Sequence, residues 1–151
     1  LPLNNGVEAL TLLADGSLLA LSEGKRDRDA VVGWISDRNG WSVLTYRAAD
    51  GFRVTGAATH PGGDVLVLER LFTLRGENAI RLKRITAAAI KAGARLDGKT
   101  IAELRPPLTI DNFEGIEARQ GPRGEVLVYL VSDDNFNTEQ RTLLMMFELL
   151  E

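Results

Sequence analysis

The sequence predicts an all-β fold assembled from repeated antiparallel sheets. Short apolar stretches recur along the 151 residues, and Gly, Pro, Asp or Asn residues that favour turns bound each of them. Three stretches, Leu18–Leu21, Val65–Leu68 and Val126–Val131, are apolar at consecutive positions. A strand with one solvated face would alternate apolar and polar residues, so these strands indicate sheets that are covered on both faces.

The predicted strands fall into three groups, at about residues 5–48, 52–108 and 110–150. The first group comprises Val7–Leu13, Ser17–Glu23, Val31–Ile35 and Trp41–Arg47. The second comprises Val54–His60, Asp64–Arg70, Ala79–Ile85 and Lys99–Leu104. The third comprises Ile116–Gln120, Glu125–Val131 and Arg141–Leu149. A short helix is predicted near 86–93, with Thr86 as its N-cap and Gly93 as its terminating residue.

A repeat of about 50 residues with four strands is typical of a blade of a β-propeller. Closed propellers contain about four to eight blades, so three blades cannot close a ring and would leave two blade faces uncovered. The chain is therefore predicted to form half of a roughly six-bladed ring. The ring would be completed by an N-terminal half or by a second copy of the chain.

Polar residues gather at one end of the last predicted hairpin, which spans Asp111–Asn135. Its strands are Ile116–Gln120 and Glu125–Val131, and Gly121–Gly124 forms its turn. In an antiparallel pair, the start of the first strand lies beside the end of the second strand. The residues expected to lie together are Asn112, Glu114, Glu117, Ser132, Asp133, Asp134 and Asn135.

By the same geometry, polar residues of all three predicted blades lie at one rim, where first strands begin and second strands end. Converging carboxylates repel one another unless a cation neutralises them, and Ca²⁺ takes about six to eight oxygen ligands. The predicted Ca²⁺ ligands are Glu8, Glu69, Glu117, Asp133 and Asp134. The predicted catalytic residues, which include a carboxylate as general base, are Glu117, Asp133 and Glu114. The predicted substrate-binding residues are Arg70, Asn112 and Asn135.

Structural roles compete with these assignments. Asp133–Asn135 has the composition of an Asx-rich turn. Glu8 and Glu117 can equally form ion pairs with neighbouring arginines. For Glu69 and Arg70, a structural role is favoured over a catalytic one.

Several motifs resemble the bacterial "esterase-like activity of phytase" family. They are N-N-G-V-E-A-L-T-L-L-A-D-G-S-L-L-A-L-S-E-G (4–24), V-L-V-L-E-R (65–70), D-N-F-E-G-I-E-A (111–118), L-V-S-D-D-N-F (130–136) and Q-R-T-L-L-M-M-F-E-L (140–149). N-F-E-G-I together with S-D-D-N-F is the most specific part of the likeness. The resemblance covers nearly the whole chain and corresponds to the C-terminal half of the family's domain. It implies a periplasmic or secreted β-propeller domain with a phosphoesterase-type activity.

Composition argues against several other classes. The chain has 18 basic and 21 acidic residues, and this net charge of −3 does not favour nucleic-acid binding. No apolar run of about 18 residues predicts a membrane span. The absence of cysteine excludes disulfides and thiolate metal sites. His60, the only histidine, precedes a Pro-Gly-Gly turn and is predicted to be a turn residue, which excludes a histidine-based triad in this chain.

Two classes of function remain. One is a Ca²⁺-dependent hydrolase of a small phosphoric or carboxylic ester at the mouth of the channel. The other is a non-catalytic propeller that binds a protein or a ligand at the same rim. A lactonase-like propeller is a third, less favoured class. Dependence of activity on a divalent metal separates the first class from the second.

Overall fold

The computed structural model describes residues 6–27, 30–48, 51–73 and 76–150, which contain twelve strands in three sheets. Residue 5, where the first predicted group begins, lies outside these ranges. In order across sheet 1, the strands are β1 (Val7–Leu12), β2 (Leu18–Asp27), β3 (Ala30–Asp37), β4 (Gly40–Arg47) and β8 (Arg95–Leu96). Sheet 2 contains β5 (Arg53–Thr59), β6 (Val65–Phe72), β7 (Asn78–Ile85) and β9 (Lys99–Leu104). Sheet 3 contains β10 (Phe113–Gln120), β11 (Val126–Ser132) and β12 (Leu144–Leu149). Neighbouring strands run antiparallel except β8, which is parallel to β4, and the all-β prediction is confirmed.

Sheet 2 lies between the other two sheets. On β6, Val65 and Val67 belong to a core shared with sheet 1, whereas Leu66 and Leu68 belong to a core shared with sheet 3. All four side chains are 0% exposed. The consecutive apolar residues of β6 thus fill two cores at once, and the prediction of a strand covered on both faces is confirmed here.

The first strands of the three sheets contact one another in series, β1 with β5 and β5 with β10. Between β1 and β5, the hydroxyl groups of Thr11 and Thr59 lie 2.9 Å apart, and Thr59 Oγ1 also donates to the carbonyl oxygen of Leu12 at 2.8 Å. Between β5 and β10, the backbone of Gly56 packs against Ile116. The first strands of the three sheets are therefore held close together.

The predicted helix near 86–93 is wrong. A single 3₁₀ turn covers Ala87–Ala89, and the chain then extends towards β4. Gly93 donates its N–H to the carbonyl oxygen of Val43, and Thr45 donates its N–H to the carbonyl oxygen of Ala94, both at 2.9 Å. Pairing with an open sheet edge therefore outweighed the helix preference of the alanines. In the described ranges, no helix is long and apolar enough to cross a membrane.

The outer faces of sheets 1 and 3, which point away from sheet 2, carry exposed apolar side chains. On β1, Ala9 is buried in the core with sheet 2, whereas Leu10 and Leu12 are 58% and 62% exposed. On β12, Leu144 and Met146 are 74% and 57% exposed. These two surfaces are called the end faces below. Within the described residues, each end face exposes apolar side chains of its strands to solvent.

Gly33 on β3 is required by close packing. A Cβ at this position would lie 2.5 Å from Leu44 Cδ1 and 2.7 Å from Leu21 Cδ2. We expect Gly33→Ala to lower the free energy of unfolding by about 2 kcal/mol, because the extra methyl group overpacks the core. Urea denaturation measures the change. Gly6→Ala is the control, since its Cβ would meet only the side chain of Glu8, and equal stability of the two variants would contradict the assignment.

Candidate functional site at the rim

The β10–β11 hairpin brings its polar ends together as predicted. Phe113 pairs with Ser132, and Asp133 donates its backbone N–H to the carbonyl oxygen of Asn112 at 3.0 Å. Residues 121–124 form the turn at the opposite end. The hairpin thereby places its polar residues at the edge where first strands begin and second strands end, which is called the rim below.

Asn112 joins sheet 3 to sheet 2 at the rim. The residue is 1% exposed, and both ends of its amide are used. Its Oδ1 accepts a hydrogen bond from the guanidinium group of Arg70. Its Nδ2 donates to Glu114 Oε1 at 2.6 Å and to the carbonyl oxygen of Asp133 at 3.3 Å. Arg70 lies near the end of β6, so one side chain connects the rims of two sheets.

Arg70 is a partly buried cation. Burial lowers the pKa of its guanidinium group, while the negative charges of Glu114 and Asp111 act in the opposite direction. Asp111 is itself buried. Its carboxylate accepts hydrogen bonds from the backbone N–H groups of Asn112 at 2.9 Å and Arg141 at 3.1 Å. Arginine keeps its proton in proteins, so a positive charge is fixed at the rim.

A cavity of about 260 Å³ opens beside Arg70, where the ends of β2 and β6 meet the start of β5. It is called the rim pocket below, and its walls are formed by Glu23, Gly51, Arg53, Thr55, Arg70 and Phe72. Arg53 pairs with Arg70 across the β5–β6 ladder and donates to Glu23 Oε1 at 3.0 Å. Thr55 Oγ1 and Arg70 Nε are buried and have no hydrogen-bond partner. Two residues that line this pocket thus each have one buried hydrogen-bond donor without an acceptor.

The loop that follows β11 forms hydrogen bonds within itself. Asp133 Oδ1 accepts the N–H of Asn135 at 3.0 Å, and Asp134 Oδ1 accepts the N–H of Phe136 at 2.9 Å. The Asn135 amide donates to Gln140 Oε1 at 3.1 Å. These contacts are those of an Asx-rich turn and support the structural alternative. The catalytic, metal-binding and substrate-binding roles of these residues stay predictions.

Glu69 lies in the interior between sheets 1 and 2 instead of at the open rim. It is 0% exposed, and its Oε1 accepts a hydrogen bond from the Tyr46 hydroxyl at 2.7 Å. Burial, followed by the negative charge and hydrogen bond of Glu69, raises the pKa of Tyr46 far above its ordinary value. The two residues therefore form a buried polar link between the sheets.

The remaining predicted ligands are dispersed. Glu8 is exposed at a bulge in β1. Glu117 is exposed on β10, where its neighbours Ile116 and Ala118 face the core, so it points to the end face of sheet 3. Over the parts of the chain that the structure describes, no three His, Cys, Asp or Glu residues are grouped closely enough to hold a metal ion. Ca²⁺ binding by these residues stays a prediction.

Arg53 and Thr55, which line the rim pocket, were not predicted as site residues. Arg53 stands opposite Arg70 only because the register shifts between Val54 and Gly56, since regular pairing from the turn would have placed Val54 there. Thr55 lies where the register shifts between Val54 and Gly56. A bulge changes the direction of a side chain, and the residue pattern gives no signal for this one.

Together, the three successive sheets with two shared cores define a propeller-type all-β domain. A structure provisionally assigned as an oxidoreductase (glucose dehydrogenase) from Thermus thermophilus is similar, with a TM-score of 0.52 and 17% identity over 91% of this chain and 40% of that chain. A protein of unknown function from Bacteroides caccae gives a TM-score of 0.46 and 14% identity over 99% of this chain and 48% of that one. The chain thus spans less than half the length of either structure, and the likeness concerns the fold alone.

The chain belongs to the phytase-like family described as "esterase-like activity of phytase", whose model matches residues 1–136. The predicted family resemblance is thereby confirmed, although the motif at 140–149 lies outside the matched residues. No curated protein gave a match.

Proposed function

We propose that the three sheets are neighbouring blades and make up half of a roughly six-bladed propeller. Three observations support this: sheet 2 is covered on both faces, the first strands contact one another in series, and the end faces carry exposed apolar side chains. An N-terminal half or a second copy of the chain supplies the other blades. The predicted periplasmic or secreted location stays a prediction from the family resemblance.

We further propose that the rim hydrolyses a small phosphoric or carboxylic ester. The observation that carries this proposal is the link from Arg70 through Asn112 to Glu114, beside a pocket with two buried donors that have no partner. Arg70 and Arg53 bind the anionic part of the ester, because guanidinium groups match carboxylate and phosphate geometry.

Glu114 is the proposed general base. Its side chain is exposed to solvent, and the Asn112 amide fixes one carboxylate oxygen at 2.6 Å. A carboxylate held in this way can take a proton from a water molecule that attacks the ester. This role of Glu114 rests on its contact with Asn112, and the dependence of activity on Ca²⁺ stays a prediction.

Glu114→Gln is expected to lower kcat by about 100-fold with little change in KM, because removal of a general base affects the chemical step. Phosphomonoesterase and acyl-esterase assays, each with and without a chelator, measure the effect and its metal dependence. Glu139→Gln, at an exposed position in the loop before β12, is the control. Turnover of neither ester by the folded protein, or equal rates for both variants, would rule the proposal out.

A non-catalytic binding function is the second candidate. It is favoured by the loop after β11, where the carboxylates of Asp133 and Asp134 accept hydrogen bonds from their own loop. The exposed Glu117 also points away from the rim pocket, towards the end face of sheet 3. Under this alternative, the rim binds a protein or ligand without turnover, and the same assays distinguish the two functions.

A further inference from the structure

We infer that the rim pocket binds a small organic oxyanion, held between Arg53, Arg70 and Thr55. This inference deepens the proposed function, since the oxyanion would be the anionic part of the ester. Binding itself, however, does not require turnover. The starting observation is that Thr55 and Arg70 line the same cavity, and that Thr55 Oγ1 and Arg70 Nε are buried and lack a hydrogen-bond partner.

The chemistry of these groups selects the ligand. An arginine Nε can only donate a hydrogen bond, and a threonine hydroxyl can also donate one. A buried donor without an acceptor costs free energy, so the pocket favours a group that supplies several acceptor oxygens. Carboxylates and phosphates do so, whereas a cation or a purely apolar ligand would leave both donors unsatisfied.

The charges around the pocket agree with this selection. Its walls contain two arginines and one carboxylate, Glu23, although the whole chain has a net charge of −3. Glu23 Oε1 accepts a hydrogen bond from the guanidinium group of Arg53 at 3.0 Å, and Asn112 Oδ1 accepts one from that of Arg70. Both guanidinium groups are thus positioned before a ligand arrives, which reduces the entropy lost on binding.

Phe72 indicates that the oxyanion carries an organic body. Its side chain is 60% exposed where it lines the pocket, and the guanidinium carbon of Arg70 lies 5.3 Å from the centre of its ring. An apolar or aromatic substituent of a ligand bound at Arg70 would cover this ring. Aromatic oxyanions should therefore bind more tightly than inorganic phosphate or acetate.

Isothermal titration calorimetry tests the inference with phenyl phosphate and benzoate, and phenol serves as the uncharged probe. Inorganic phosphate and acetate provide the comparison without an organic body. Saturable binding of at least one aromatic oxyanion is expected, with none for phenol. The two acids distinguish a phosphate-selective pocket from a carboxylate-selective one.

Thr55→Val is the decisive variant. The hydroxyl has no hydrogen bond to lose in the free protein, so stability should be kept while affinity falls about fivefold, as expected for one lost hydrogen bond. Arg53→Gln should weaken binding by about tenfold or more, because a charge-assisted contact is lost. The matched controls, Thr100→Val on the exposed strand β9 and Arg123→Gln in the β10–β11 turn, should bind as the unchanged protein does.

The possible results separate the two proposals. No saturable binding, or full affinity in Thr55→Val and Arg53→Gln, would overturn the inference. Equal weakening by Arg123→Gln would also overturn it, since binding would then depend on surface charge in general. Binding that depends on Thr55 and Arg53 without ester turnover would support the pocket and refute only the hydrolase. Turnover that is unaffected in both pocket variants would refute the pocket and the binding role of Arg53, but not ester hydrolysis at the rim.

Discussion

Asn112→Ala is expected to lower the free energy of unfolding by about 4 kcal/mol and the melting temperature by about 10 °C. The substitution removes three hydrogen bonds of a buried amide, including the one that Arg70 donates across the two sheets. Arg70 would keep its charge in a partly buried position with one acceptor fewer. Leaving a buried charge without its partner costs more than the net value of the hydrogen bond that is lost.

Urea and thermal denaturation of the two proteins measure this effect. Asn39→Ala is the control, because Asn39 is exposed in the turn between β3 and β4 and should tolerate truncation within about 0.5 kcal/mol. If Asn112→Ala unfolds at the same urea concentration as the control, the link between sheets 2 and 3 does not contribute to stability in the way described.

Tyr46→Phe is expected to lower the free energy of unfolding at pH 7 by about 3 kcal/mol. The phenylalanine ring preserves the packing of a side chain that is 0% exposed, so the change isolates the hydroxyl group. That hydroxyl donates to Glu69, which is also 0% exposed, at 2.7 Å. Without it, a buried carboxylate loses a donor that water cannot replace.

The same pair predicts a loss of stability in alkali. The pKa of Tyr46 is raised in the folded state, chiefly by burial, above the value of 10.0 that applies when the chain is unfolded. At a pH above this value, the unfolded chain releases the tyrosine proton while the folded protein keeps it. The contribution of Tyr46 is therefore fully present below pH 10 and declines as the pH rises further.

Denaturation midpoints between pH 8 and about pH 11 should show this decline in the unchanged protein and a shallower one in Tyr46→Phe. Tyr129→Phe is the control, because Tyr129 lies on β11 on the side of sheet 3 opposite its buried neighbours Val128 and Leu130. The same pH slope in all three proteins would show that Tyr46 is not the group responsible.

Much of the fold could be predicted because it depends on local patterns. The consecutive apolar residues of β6 indicate two covered faces, and Val65 and Leu66 do belong to different cores. The hairpin geometry likewise predicts the meeting of Asn112 with Asp133. The segment after Ala89 could not be predicted in this way, because its structure depends on β4, a strand more than 40 residues earlier in the chain.

The candidate site was only partly predictable. Arg70, Asn112 and Glu114 do lie together, in agreement with the prediction that first strands begin and second strands end at one rim. Glu69 was expected at the rim, yet it alternates in step with Val65 and Val67, which face sheet 1, so strand alternation would have placed it in the interior.

The environment of Thr55 is harder to foresee, since it depends on an irregularity in pairing together with the approach of β2. Contacts between elements distant in the sequence set the shape of a pocket, and no run of residues encodes them locally.

The end faces have a consequence for how this chain behaves in solution. Each carries apolar side chains of the kind that fill a domain interior, yet these side chains are exposed to water within the described residues. Apolar surface of this kind gains free energy whenever another surface of matching shape removes it from water. The stability of the three sheets thus depends partly on the surfaces that pack against them. Further blades that complete the ring would bury both end faces and stabilise the assembly.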